Sequence, residues 1–402
     1  MIGGVGEGGR GQGRVAPDEE LLVGRACDTP LDDTGLVHCF QVLGTPELPS
    51  RVLLIGAALA PGELERFADR RHAATGLVPA GDDLFAWRPA PQALPEPWSE
   101  PVRLTARRIG EDLLTTLDTA CDLLARRVDG FDHHGVGAGT AVPAVRFADP
   151  VQATAWLRRH LGVSLAAVRA GGRARWRSLA TALTARLWVC APTDAPRQWA
   201  IDLAEAGTRA AIEERQPRRL AGLLRLSARW FAARGDFVTA DAHGVREWRV
   251  WKELDDTAGM IDTLWRRARI YREAGRGNRE LDCHQRLLSL YRRTGDRFGA
   301  ARAQISRGVA LVVVGRDRDA SDQLREAARA TADLEGLPDV GPVELAAELE
   351  TLGRAFWAIG SVGTARRHFS ASLRLLVDED ERAADRVRAL LATPAGRELP
   401  DA

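Results

Sequence analysis

Few residues in this 402-residue chain have the types and spacing that catalysis demands. Asp132-His133-His134 sets a carboxylate beside two imidazoles, donors that a metal ion takes. Adjacent side chains diverge, however, and no second donor cluster is spaced to close a site, so residues 129–145 read as a surface loop. The other histidines are scattered, with His284 and His368 on second helices as surface or packing residues. Lys252 is the only lysine, so a Schiff base or a phosphate-gripping lysine has one candidate, at a charged helix end. Gly3-Gly4-Val5-Gly6-Glu7-Gly8 has the glycines of a phosphate loop, but Gly9 and Arg10 stand where Lys followed by Ser or Thr is required. Neither GxSxG, HExxH nor the paired histidine and cysteine motifs of zinc deaminases occur. The sequence therefore assigns no catalytic residue, no cofactor and no metal.

Composition narrows the class further. Hydrophobic residues make up 45% and charged residues 28%, as in ordinary globular proteins, and the net charge is only +1. No global field points to nucleic acid or to a membrane surface. The five cysteines (Cys27, Cys39, Cys121, Cys190, Cys283) are odd in number, scattered and without a CxxC, which suits reduced thiols in a cytoplasm. The first residues lack the basic and apolar regions of a signal peptide, and no apolar run reaches the roughly 18–20 residues needed to span a bilayer.

The elements divide the chain into five stretches. Residues 1–20 carry seven glycines and little to bury, so a disordered tail is expected. Residues 21–95 are mixed. Residues 36–43 and 51–55 fit short strands or buried helix pieces; residues 61–72 fit a helix; 77–78 and 84–87 flank a Gly-Asp turn as a hairpin. Helix, turn and hairpin together suit a small α/β unit of winged-helix type. Such a unit is either a structural remnant or a DNA reader whose residues 60–75 carry Arg66, Arg70 and Arg71 among acidic neighbours. Five prolines between Pro89 and Pro101 open a linker and connecting helix, residues 96–149. Apolar spacing predicts a helix over 107–128, with Cys121 on its packed face.

From residue 150 to 392 the chain reads as helix pairs, with residues 393–402 as a tail. Asp149 caps the first helix and Pro150 takes its first position. Pairs follow at 174–190 and 197–214, 218–234 and 237–253, 260–274 and 279–293, 298–314 and 320–334, 343–359 and 364–376, then a last helix at 379–391. Turn glycines recur at Gly235, Gly275, Gly315 and Gly360. Seven residues before each sits a small residue (Ala228, Ala268, Gly308, Gly353) and four before each a bulky one (Phe231, Tyr271, Leu311, Phe356). A small residue usually follows five later, at Ala240, Ala320 and Ala365; Glu280 is the exception. Small residues let two helices approach, bulky ones fill the space to the next pair, and glycine supplies the left-handed cap.

This pattern resembles tetratricopeptide repeats, with spacings of 40 and 45 residues rather than the family's 34. The stretches 275–287 and 294–301, and the entry segment 147–168, are similar to the C-terminal repeat region of actinobacterial signal-transduction ATPases of the NB-ARC type. The chain has no GxxxxGK[ST], so the ATPase module of those regulators is missing. The resemblance implies a mostly α protein, a right-handed superhelical solenoid of antiparallel helix pairs behind the small N-terminal unit. It also implies which positions of the first helices face inward: Arg225, Arg229, Asp262, Trp265, Arg269, Arg272, Arg302, Ile305, Val309, Arg354 and Trp357, with Glu273 and Glu350 among them. Six arginines with two tryptophans suit an acidic, aromatic-containing peptide. The expected role is a regulatory scaffold or sensor binding a protein or peptide through Arg225, Arg229, Trp265, Arg269, Arg272, Arg302, Arg354 and Trp357. The alternatives are a DNA-linked regulator with a ligand-sensing repeat domain and an enzyme framed by the repeats.

Overall fold

A computed structural model describes residues 33–45, 47–59, 63–64, 77–81, 84–87, 96–124, 128, 130–131, 145–335, 337 and 339–400. The glycine-rich start, nearly all of the helix expected at 61–72, its arginines and the Asp132-His133-His134 loop lie outside the described residues. The chain separates into two compact units, residues 1–112 with 133–144 and residues 113–132 with 145–402, divided between Asp112 and Leu113.

In the first unit the two apolar runs left open by periodicity are helices, α1 (Asp33–Leu43) and α2 (Ser50–Gly56). Strand β1 (Glu47–Pro49) lies between them, and β2 (Leu77–Gly81) and β3 (Leu84–Trp87) form the expected hairpin. The sheet is antiparallel in the order β1-β3-β2, with Leu48 opposite Phe85 and Val78 opposite Ala86. The three-residue β1 gives too short an apolar alternation to be read from sequence. Helix α3 (Glu100–Leu123), whose residues from Leu113 on belong to the second unit, starts seven residues earlier than expected, with Pro101 in its first turn, where a missing N–H is tolerated. Gly56 is the close contact of this unit: a Cβ there would come within 2.6 Å of Cys39 Sγ and 3.0 Å of Ile109 Cδ1. Arg51 Nε donates to Asp112 Oδ2 at 3.0 Å.

The second unit is a succession of helices: α4 (Pro150–Arg173), α5 (Arg177–Cys190), α6 (Arg197–Glu213), α7 (Pro217–Ala233), α8 (Phe237–Glu253), α9 (Thr257–Glu273), α10 (Gly277–Thr294), α11 (Arg297–Val313), α12 (Asp317–Ala332), α13 (Pro342–Ala358), α14 (Val362–Leu376) and α15 (Glu381–Ala392). Each packs on the next in sequence, and several also touch the next but one, including α5 on α7 and α11 on α13. The beat is twenty residues per helix and turn, half the spacing seen in the glycines. Left-handed turn residues stand at Arg215, Gly235, Asp255, Gly275, Gly295 and Gly315, with φ between +51° and +75°. Of the three intermediate positions, Arg215 and Asp255 are not glycine and Gly295 is, so the shorter beat is only partly visible in the sequence. Aspartates start several helices: Asp149, Asp236, Asp256, Asp296 and Asp380 accept hydrogen bonds of 2.7–3.1 Å from the backbone N–H three residues on. Such a cap is worth about 0.5–2 kcal/mol relative to alanine.

Packing follows the small-and-large pattern. Phe231, Tyr271, Leu311 and Phe356 are all buried. Gly353 is required by contact: a Cβ there would sit 2.4 Å from Phe369 Cε1. The last core joins Ile305, Leu324, Phe356, Phe369, Val387 and Leu390. Ile305, expected on the inward face, is fully buried in that core, because its position in α11 turns toward α13 and not toward the open side. Cys121 and Cys190, 69 residues apart, bring their sulfurs to 2.8 Å inside this unit. Among the described residues no helix is long and apolar enough to cross a membrane.

Candidate functional site

Helices α7, α9 and α11 place arginines along a cleft of ≈ 780 Å³ that α13 completes. Arg225 and Arg229 come from α7; Asp262, Trp265, Arg266, Arg269 and Arg272 from α9; Arg302 and Ser306 from α11; Glu348 and Thr351 from α13. Val128, Phe131 and Leu226 form an apolar end. Phe131 is fixed there because Gly222 has no side chain: a Cβ would meet the ring at 2.8 Å. Its carbonyl also accepts from Arg186 Nη1 at 2.5 Å, and Arg186 is held by Asp118 at 2.8 Å.

Six of the eight expected binding residues therefore share one cleft: Arg225, Arg229, Trp265, Arg269, Arg272 and Arg302. Their environments differ. Arg272 reaches Glu280 Oε1 at 2.5 Å, and Glu280 is 1% exposed. Burial would raise the Glu280 carboxyl, but His284 and Arg272 outweigh it and hold the group below the usual glutamate range. The departure from a small residue at position 280 thus places a buried anion under Arg272. Arg302 pairs with Glu348 at 3.4 Å; burial raises the Glu348 carboxyl against the pull of Arg302. Arg269 meets Glu273 at 3.7 Å between exposed side chains, a contact worth little in water. Arg225 and Arg229, both exposed, have no carboxylate within ion-pair reach among the described residues.

Trp265 is a pillar rather than an open platform. Its Nε1 donates to Tyr291 Oη at 2.9 Å, and His284 meets it edge-on with centroids 5.4 Å apart. The Arg302 guanidinium lies 4.9 Å from its ring centroid, in cation–π range. The indole therefore positions Arg302 more than it offers a bare face to a ligand. The histidine expected at a surface or packing position, His284, is buried, lines the cleft, and has an Nδ1 without a hydrogen-bond partner.

Arg266 was not on the expected face, yet it lines the cleft. Its Nη2 lies 3.0 Å from Glu247 Oε1 and 3.3 Å from Asp262 Oδ2. Glu247 is 2% exposed at the side chain, and its Oε2 has no partner. Burial pushes the Glu247 carboxyl up despite Arg266, and burial lowers Arg266 despite Glu247. Both shifts favour the neutral forms, so desolvation outweighs attraction in this pair. Arg225 and Arg229 add like charge that lowers Arg266 further.

The remaining two expected residues lie elsewhere. Arg354 and Trp357 do not line this cleft; they bind the chain's own later residues. Arg354 Nη1 donates to Pro400 O at 2.8 Å and Trp357 Nε1 to Arg397 O at 3.1 Å. Glu350 is buried between Arg354, at 3.0 Å, and Arg386, at 3.1 Å.

A second cleft of ≈ 560 Å³ is lined by Arg325, Arg329, Phe356, Arg367 and His368 among others. His368 stacks on Phe356 at 5.4 Å, and burial lowers its imidazole. Ser227 Oγ and His243 Nδ1 are 2.5 Å apart, and burial followed by the Arg246 charge takes the imidazole down to about 4. Ser227 is 1% exposed and lines neither cleft, so this pair joins α7 to α8 without presenting a nucleophile. No group of three or more histidine, cysteine or carboxylate side chains among the described residues could hold a metal ion. Neither a protein-family model nor a curated protein matches the chain, so the reading of the cleft rests on its own residues.

Proposed function

We propose that the helical array is a protein- or peptide-binding scaffold, regulatory in role, whose cleft takes an acidic segment with an apolar residue beside the acids. One observation carries this reading: Arg225 and Arg229 stand unpaired, one helical turn apart, in a cleft whose other four arginines are held by carboxylates. Exposed side chains one turn apart project together, and guanidinium groups bind carboxylates bidentately. Val128, Phe131 and Leu226 supply an apolar contact at the same end. The tetratricopeptide-like, right-handed solenoid belongs to this proposal, supported by the regular helix-and-turn beat and the small residues between helices. The small unit's helices and three-stranded antiparallel sheet support its reading as a winged-helix remnant; the DNA-reading alternative rests on residues 60–75, nearly all outside the described residues.

The test is fluorescence anisotropy with a labelled peptide carrying two glutamates four residues apart next to a phenylalanine. Arg225→Ala/Arg229→Ala should weaken binding by about tenfold or more, as expected for loss of charge-assisted contacts. A matching lysine peptide should not bind. Equal affinity of wild type and double variant, or no binding of the acidic peptide by wild type, would sink the proposal.

A further inference from the structure

The other end of the array carries a contact that the acidic-peptide reading does not use. After α15 the chain turns at Gly396, with φ +85°, and runs back over α13 and α14. Three of its backbone carbonyls are taken by side chains that are distant in sequence. Arg366 Nη2 donates to Thr393 O at 3.1 Å, Trp357 Nε1 to Arg397 O at 3.1 Å, and Arg354 Nη1 to Pro400 O at 2.8 Å. Leu399 is half-buried against the last apolar core, whereas residues 394–398 are exposed.

These contacts have the form of peptide recognition. Main-chain carbonyls accept from fixed side-chain donors, and one side chain fills an apolar position. Arg354 is itself held by buried Glu350, which Arg386 grips from the other side. Arg354 also keeps a buried Nη2 with no acceptor, so the site has more donors than the present occupant uses. The occupant is held weakly by comparison, since most of it stays in water and only Leu399 packs.

We propose that Arg354, Trp357 and Arg366 form a binding site for a segment that turns and then presents Leu-Pro, filled in cis by residues 393–400, which a partner segment displaces. The chain's own segment acts as an intramolecular competitor and lowers the site's apparent affinity for anything else. The proposal is independent of what the arginine cleft binds.

The experiment uses a fluorescein-labelled peptide of residues 393–400, titrated to millimolar concentration. It is tested against the wild-type chain, the chain ending at Ala392, and full-length Leu399→Asp, which keeps every helix but places a charge where the leucine packs. A segment seated about nine-tenths of the time weakens a competing ligand about tenfold. The peptide should therefore bind both variants about tenfold more tightly than wild type. Trp357→Phe, made in the Leu399→Asp chain, removes the indole donor while keeping a ring and should weaken that binding. Equal binding to wild type and Leu399→Asp, no binding to either, or indifference to Trp357→Phe overturns the proposal. Should the shortened chain fail to fold, the Leu399→Asp arm decides alone.

Discussion

Replacing Glu247 by leucine strips Arg266 of its closest partner while leaving the guanidinium in place. The Arg266 side chain is only 10% exposed, and its remaining partner is Asp262, at 3.3 Å and 65% exposed. Breaking a buried pair from one side costs roughly 3–5 kcal/mol. With Asp262 retained, the low end applies, about 3 kcal/mol. The reciprocal change, Arg266→Leu, should cost less, about 1–2 kcal/mol, because a buried carboxyl can take up a proton. Glu247 is already pushed in that direction, and Trp251 Nε1 still donates to it at 3.3 Å. The double variant Glu247→Leu/Arg266→Leu removes both charges at little change in volume and should lie within about 1 kcal/mol of wild type. Urea denaturation followed by far-UV circular dichroism, run as a double-mutant cycle, measures the coupling. Strict additivity of the two single changes, or a Glu247→Leu cost below about 1 kcal/mol, would refute a desolvated pair whose partners each need the other.

Three further outcomes are expected. Glu280 has a folded pKa below its ordinary value of 4.5, so the native state binds fewer protons there than the unfolded chain does. Its contribution is present above pH 4.5 and lost as pH falls through the folded pKa, so acid unfolding of Glu280→Gln should show a smaller loss than wild type below pH 4.5. Asp255→Gly relieves a left-handed backbone at φ +51° and should raise stability by up to about 1 kcal/mol, seen as a higher urea midpoint; a fall would mean the aspartate side chain matters more than the backbone. Treatment with a thiol oxidant such as diamide should join Cys121 to Cys190, detected as a two-dalton mass loss and a crosslinked peptide that Cys121→Ser abolishes, because their sulfurs are 2.8 Å apart.

The helices of the second unit were legible because each pair repeats a local rule. Small residues, bulky residues and turn glycines lie within one helix length of each other, so Ala268, Tyr271 and Gly275 announce α9 without knowledge of the fold. Turn residues other than glycine carried no such mark, so Arg215 and Asp255 hid two of the three intermediate turns, Gly295 being the third. The cleft was partly legible: the inward positions implied by the repeat resemblance brought Arg225, Arg229, Trp265, Arg269, Arg272 and Arg302 to one place. Arg266 was missed because its contact with Glu247 comes from the neighbouring helix α8, which periodicity along α9 cannot register. Glu280 did leave a signal, an acid where the pattern has alanine. Arg354 and Trp357 sit at the same kind of position as Arg269 and Arg272, and only a segment some forty residues later decides that they are covered. Cys121 and Cys190 could not be paired from sequence at all, since their meeting depends on how α3 packs against α5.

The placement of the cleft's side chains on every second helix turns the array into a ruler. The cleft spans α7, α9, α11 and α13. Each step between these alternate helices is no shorter than a helix-packing distance of roughly 8–10 Å, so three steps measure at least about 25 Å. An extended chain advances at most about 3.3–3.6 Å per residue, so a segment reaching from α7 to α13 needs at least about seven residues. A shorter segment seated at Arg225 and Arg229 would end before Glu348 and Thr351 of α13, so ligand length decides how many helices of the array one partner can join.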